Sequence, residues 1–238
     1  MAMSLPSPER KQQFVERMFD RIAPRYDLLN RLMTFGIDRS WRRRLIEGLG
    51  LGPGATVVDL GCGTGDLLEE VRRRGGKPIG VDLSAGMLAL ARKRQAEFML
   101  IRGDAACLPL KDACADGVVS AFALRNFVSI PGVLAEAARV LRSGGRLGIL
   151  EVDRPRAAWR RLAFDTYFTR VVPLLGGLLS RREAYRYLSA SLAYLPEEAE
   201  LAAMLKNAGF TDVTKRSLTG GAAQFVLATR ASAAGGQG

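Results

Sequence analysis

Behind the apolar pair Val57-Val58 the chain runs Asp59-Leu60-Gly61-Cys62-Gly63-Thr64-Gly65-Asp66, three glycines at alternate positions between two acids. Glycines here let the backbone turn sharply and approach a ligand at the carboxyl end of a strand. The spacing alone is a weak signal. A diphosphate-binding turn follows GxGxxG, and the position where its last glycine belongs is Asp66, an acid that repels a pyrophosphate. The same acid favours a positively charged ligand. S-adenosylmethionine (SAM) brings a sulfonium and an amino group, for which Asp59 and Asp66 are attractive neighbours. Further on, Asp82 stands at the end of the next apolar run, where a carboxylate accepts two hydrogen bonds from ribose hydroxyls. A helix N-cap is its competing use, since Ser84 and Gly86 follow. Gly103-Asp104-Ala105 closes a third run, with a carboxylate for an adenine amino group and a small residue beside it for the ring. An Asx turn is the competing use of Asp104.

These residues need a scaffold that brings three strand ends together, and the pattern around them supplies one. Thr56–Leu60, Pro78–Asp82, Phe98–Gly103, Gly117–Ala121 and Arg146–Val152 read as strands. Leu67–Arg74, Gly86–Gln95 and Val133–Val140 alternate with them as helices. That alternation implies parallel crossovers and a doubly wound, Rossmann-like α/β sheet. Glu9–Tyr26 and Asp27–Gly50 read as two helices ahead of it, with Phe14, Met18 and Ile22 and then Leu28, Leu29 and Leu32 at helical spacing. After Pro155 the alternation stops, and residues 157–195 read as a helical cap rich in Tyr, Phe and Leu. Glu197–Ala208 is a further helix, and Thr211–Leu218 and Gln224–Thr229 follow as strands with no helix between them, an antiparallel hairpin at the edge of a seven-stranded sheet. One domain is expected, with tails at 1–8 and 231–238 that are small, polar and rich in Gly and Pro.

Composition narrows the chemistry. Among 238 residues there is no histidine, so proton transfer falls to carboxylates, tyrosine or water. Cys62, Cys107 and Cys114 have no metal-ligand spacing, so no metal is expected and a reducing, cytoplasmic setting fits. No apolar window is long enough to span a bilayer. With 35 Lys and Arg against 24 Asp and Glu the net charge is +11, which suits an anionic partner. Solvated helix faces are the plain alternative for the short arginine clusters. Aromatics lie in apolar runs rather than interleaved with arginine, which argues against nucleic acid.

Longer stretches resemble a family. Phe19-Asp20-Arg21-Ile22-Ala23, Tyr26-Asp27, Asn30 and Trp41-Arg42 are similar to the N-terminal signature of the quinone-biosynthesis C-methyltransferases that act on demethylmenaquinol and on the ubiquinone precursor. Phe122-Ala123-Leu124-Arg125-Asn126 resembles that family's motif behind the fourth strand, and Arg139–Arg146 its second signature. Leu150-Glu151, Tyr185–Leu188, Ala208-Gly209-Phe210 and Leu218–Gly221 continue the match, which spans roughly residues 14 to 228. The YDxxN, LRN and LTGG combination is far more selective than the glycine turn. The chain departs from the family with Thr34 and Asp38 where Ser and His are usual, Ser143 where Pro is common, and Ala222-Ala223-Gln224 in place of a segment with His.

The resemblance implies that Thr64, Asp82, Asp104, Ala105 and Ser120 contact SAM, beside the turn residues Asp59, Gly61, Gly63 and Gly65. It also implies that Tyr26, Arg125 and Asn126 face a prenylated quinol. Arg125 is a poor base because guanidinium keeps its protons, so its expected role is to hold a phenolate, with Asn126 orienting the hydroxyl and Tyr26 the other ring oxygen. A salt bridge to a core acid is the competing use of Arg125, and plain packing that of Tyr26. The run Phe164, Tyr167, Phe168, Val171–Leu175, Leu178 and Leu179 suits an isoprenoid tail, ordinary core or a homodimer face. With Arg160, Arg161, Arg181 and Arg182 it also suits an anionic membrane surface. A small-molecule O- or N-methyltransferase and an RNA methyltransferase are the other functions this scaffold serves.

Overall fold

A computed structural model describes residues 7–153 and 191–232, and between them residues 157–159, 162, 166, 167, 170, 187 and 190. In chain order the elements are α1 (Pro8–Thr34), α2 (Asp38–Leu49), β1 (Thr56–Leu60), α3 (Asp66–Arg73), β2 (Lys77–Asp82), α4 (Ala85–Arg94), β3 (Met99–Arg102), β4 (Ala115–Ala121), α5 (Ile130–Val140), β5 (Leu141–Val152), α6 (Glu198–Asn207), β6 (Phe210–Leu218) and β7 (Ala223–Arg230). Short 3-10 turns lie at Leu124–Asn126, Ser191–Tyr194 and Thr219–Gly221.

The seven strands form one sheet in the order β3-β2-β1-β4-β5-β7-β6. Strands β1 to β5 pair in parallel, and β7 enters antiparallel to both β5 and β6. The strand order reverses between β1 and β4, the switch point where open α/β sheets bind ligands. Register fixes which strand ends meet there. Leu60 pairs with Val81 and Asp82 with Arg102, so Gly61, Asp82 and Gly103 emerge side by side.

Helices bury both faces of the sheet. Leu45 and Leu49 of α2 and Leu67 and Val71 of α3 pack with Leu150, Phe225 and Leu227 on one face. Leu134, Ala137 and Ala138 of α5 and Leu201 and Leu205 of α6 pack with Val118, Leu147 and Val226 on the other. Helix α1 lies over the strand ends and closes a separate cluster, in which Val15, Met18 and Ile22 meet Met87 of α4 and the buried Tyr187.

Most boundaries fall within three residues of the sequence reading, and two differ by more. The first helix does not end near Tyr26; it runs unbroken through Pro24 to Thr34, and the break falls at Phe35-Gly36, both left-handed, before α2 starts at Asp38. Proline removes one helical N–H, but tertiary bonds hold this stretch to α4: Asp20 Oδ1 accepts from Ser84 Oγ at 2.5 Å and from the Gly86 N–H at 2.9 Å. Strand β5 starts at Leu141 rather than Arg146, because Leu141 pairs with Ala115 ahead of an irregularity that restores register at Arg146 with Gly117. Most of the aromatic run and Arg160, Arg161, Arg181 and Arg182 lie outside the described residues.

Candidate active site

A cleft of about 760 Å³, open to solvent, lies between α1 and the carboxyl ends of β1, β2, β3 and β4. Of the residues singled out in the sequence, Tyr26, Gly61, Gly63, Asp82, Asp104, Ala105 and Asn126 line it.

The acidic end is built from the strand termini. Asp82 Oδ2 accepts from the Gly63 N–H at 2.8 Å and Oδ1 from the Ser84 N–H at 2.8 Å, so one carboxylate fixes both the glycine turn and the start of α4. Burial raises its pKa, while these two N–H groups oppose that. Each oxygen keeps a second lone-pair direction for a ligand hydroxyl. Asp104 Oδ1 closes an Asx turn on the Ala106 N–H at 2.9 Å, and Oδ2 takes a 3.2 Å bond from Gln12 of α1. The capping and turn-forming uses are therefore real, and both carboxylates line the cleft as well. Gly61 has φ +72, and a Cβ there would stand 2.7 Å from that of Ala123, so glycine is demanded by both dihedral and space.

Asp59, Thr64, Gly65, Ser120 and Arg125 do not line the cleft. Asp59 is buried under the turn, where burial, against the pull of Arg42, pushes its carboxyl up to about 8, and its Oδ1 has no partner among the described residues. Thr64 donates to Asp27 of α1 at 2.6 Å, and Ser120 donates to the Leu60 carbonyl at 2.8 Å. Gly65 caps α3, with Phe98 and Ala91 where a side chain would go.

Asp66 corrects the charge argument made from sequence. It points away from the cleft to Arg94 and, at 3.9 Å, Arg42, and although burial works to raise its carboxyl, these arginines hold it below the usual range. Its charge is spent on arginines, and Asp59, Asp82 and Asp104 are the acids left for a cation.

At the other end, Phe19, Tyr26, Phe122 and Phe127 make an aromatic wall, with Asn126 beside them. Burial raises the Tyr26 hydroxyl pKa, so it stays a proton donor, and Asn30 shares a hydrogen bond with it. Phe122 follows β4 with φ +59, uncommon for a bulky residue. Its N–H is held by the Leu150 carbonyl at 2.8 Å, and the Arg42 guanidinium lies 5.3 Å from its ring centre. Next to this wall Arg125 forms a buried ion pair with Glu151 of β5, whose carboxyl burial raises. Arg125 Nε, Asn126 Oδ1, Glu151 Oε2 and Tyr187 Oη are all buried without partners among the described residues. Buried polar atoms are nearly always bonded, so a group of orphans beside a cleft marks where a ligand or water completes the set.

Sequence reading gave no role to Gln12 and Met87, and it quoted Phe19, Asp20, Asp27 and Glu151 within the family signature without placing Phe19 at the cleft or the three acids against Ser84, Thr64 and Arg125. Helical spacing in α1 tells burial but not that α1 roofs the strand ends.

The sheet order, the antiparallel last strand and the cleft at the switch point define a SAM-dependent methyltransferase fold. A SAM-dependent methyltransferase of Thermotoga maritima shares it at TM-score 0.65, with 21% identity over 91% of this chain and 99% of that one. A phosphoethanolamine N-methyltransferase of Haemonchus contortus, solved with S-adenosyl-L-methionine, matches at TM-score 0.61 and 16% identity over 81% of this chain and 53% of that one. Residues 7–230 match the model of the ubiE/COQ5 methyltransferase family, and the chain belongs to that family. It is 42% identical to the demethylmenaquinone methyltransferase of Thermus thermophilus, over 90% of this chain and all of that one. It is 38% identical to the ubiquinone/menaquinone biosynthesis C-methyltransferase of Geobacter sulfurreducens, over 90% and 87% of the two.

Proposed function

We propose that the cleft binds SAM at its acidic end and methylates a ring carbon of a prenylated quinol at its aromatic end, demethylmenaquinol being the preferred substrate. The observation that carries this is the meeting, in one cleft, of the Asp82 and Asp104 strand ends with Tyr26 and Asn126. Family membership and full-length relatives named for this reaction support it. A ubiquinone-precursor benzoquinol is the second reading, since some relatives are named for both quinones.

The residues fit the cofactor. Asp82 has lone pairs left for ribose hydroxyls, Asp104 faces the space an adenine amino group would fill with Ala105 beside it, and the orphaned Oδ1 of Asp59 lies beneath the glycine turn. Bound SAM supplies an electrophilic methyl group on a positively charged sulfur. The chain does the rest by positioning and charge. Tyr26 donates its hydroxyl proton to one ring oxygen. Asn126 orients the other hydroxyl, which loses its proton to water in the open cleft; the phenolate makes the neighbouring ring carbon nucleophilic, and that carbon's own hydrogen leaves as a proton once it is methylated. Arg125, its charge balanced by Glu151, keeps an Nε N–H without a partner among the described residues and stabilises the phenolate through water. Glu151 is a positioning residue: by pairing with Arg125 it fixes the 3-10 turn that also carries Asn126.

Asn126→Ala and Tyr26→Phe test this assignment, with kcat expected to fall roughly tenfold to a thousandfold while SAM affinity stays within about twofold. Unchanged turnover in both would remove these residues from the site.

A further inference from the structure

Past Tyr26, α1 leaves the cleft and its surface changes character. Leu28, Leu32 and Phe35 recur along one stripe, exposed by 53%, 40% and 80%, and Ile37 joins them from the turn at 40%. The stripe is held rigidly. Phe35 caps the helix at φ +53 with its N–H bonded to the Arg31 and Leu32 carbonyls, and its ring packs 6.3 Å from that of Tyr167. Tyr167 in turn donates to the Met33 carbonyl at 2.7 Å.

The surroundings are basic. A second concavity, of about 940 Å³ and open to solvent, lies between α1, α2, α3 and α4, and Arg31, Arg39 and Arg43 on its rim make no ion pair among the described residues. The acids inside it are already engaged: Asp66 by Arg94, Glu69 by Arg72 and Arg73, Glu70 by Arg74. An apolar knuckle flanked by free guanidinium groups, with its acids neutralised, complements a layer of anionic headgroups over hydrocarbon.

We propose that the end of α1 and the turn into α2 dock the protein on an anionic phospholipid bilayer, Leu28, Leu32, Phe35 and Ile37 entering the headgroup boundary and the arginine concavity taking lipid phosphates. This deepens the quinol reading, because Phe35 lies nine residues, about 14 Å of helix, from Tyr26 at the cleft. At about 3.6 residues per turn Leu28, Leu32 and Phe35 stand on the face of α1 opposite Tyr26, so the docking surface lies on the outside of the helix that roofs the cleft.

The test is sedimentation of the full chain with vesicles of phosphatidylglycerol and phosphatidylcholine, or of phosphatidylcholine alone, at low salt. Methyl transfer to a quinol with a tail short enough to dissolve is assayed in parallel. The wild type should bind anionic vesicles roughly tenfold or more tightly than neutral ones. Phe35→Asp, which the left-handed site accommodates, combined with Leu32→Glu, should weaken binding at least about tenfold. Arg39→Ala with Arg43→Ala should reduce anionic binding towards the neutral level. All variants should keep soluble-quinol activity within about twofold, and the arginine pair, being on the surface, tests the proposal even if the apolar pair fails to fold. Wild-type chain that stays unbound, variants that bind as the wild type does, or an apolar variant that converts a dimer to monomer with vesicle binding intact would each overturn it. Vesicle binding needs no quinol, so a failed methyl transfer would count against the substrate and leave the docking result standing.

Discussion

Asp59 carries a proton that its environment decides. In the folded chain its carboxyl titrates near about 8, because burial outweighs Arg42; in the unfolded chain it does so near 3.8. Between these values the folded state holds a proton that the unfolded state has released, so this residue's contribution to stability is fully present below about pH 4 and is lost as pH rises through about 8. Asp59→Asn should flatten that slope in urea titrations run at several pH values. A cationic ligand above the turn favours the ionised form. SAM affinity should therefore rise with pH between about 6.5 and 9, less so in Asp59→Asn, and binding near neutral pH should release protons, seen by calorimetry in buffers of different ionisation enthalpy. Affinity that is flat over this range in the wild type would contradict the placement. Arg125 and Glu151 make a second residue-scale case. Arg125→Met leaves a buried carboxylate alone and should cost roughly 3–5 kcal/mol, whereas Arg125→Met with Glu151→Leu should regain much of that and stay inactive. Recovery of turnover with stability would show that the pair serves folding only.

At the scale of elements, α1 is the part that turns a sheet edge into a cleft. Its Asp20 receives two bonds from the start of α4, its Asp27 binds Thr64 of the glycine turn, and its Gln12 reaches Asp104. Asp20→Ala removes the first of these ties and should destabilise the chain by about 1–2 kcal/mol in chemical denaturation, with SAM affinity falling alongside. Stability equal to the wild type would mean that the apolar contacts of α1 suffice. This helix also shows what the sequence could and could not convey. Strand runs such as Thr56–Leu60 and the alternation with helices were legible because fully buried parallel strands leave continuous apolar stretches. The Gly61, Asp82 and Asp104 set was legible because ligand turns sit at strand ends. The length of α1 was not, since Pro24 is a local breaker that only the bonds to α4 override. Nor was the direction of Asp66, because a carboxylate in the first turn of α3 suits either a ligand or Arg94, and Arg94 lies a helix and a strand further on. That Glu151 is the core acid paired with Arg125 was hidden for the same reason: the two are 26 positions apart, and only the pairing of β4 with β5 brings them together.

For the whole molecule, one sheet separates two tasks. Strands β1 to β4 present their carboxyl ends to the cleft, while β5, β7 and β6 complete the core and supply Glu151. The net charge of +11 is unevenly useful: many arginines are paired with acids, and those left free at the α1–α2 turn gather beside exposed apolar side chains. Among the described residues no helix is long and apolar enough to cross a membrane. The cleft, the surface and the family meet in one claim, that the acceptor is carbon on a quinol ring. The direct measurement is incubation of the purified chain with methyl-labelled SAM and a reduced, short-tailed demethylmenaquinol, followed by resolving the labelled product. The account predicts one label per quinol, bonded to the ring carbon, and lost with Asn126→Ala. Label on a ring oxygen, or SAM bound at saturation with no transfer to the quinol, would contradict it.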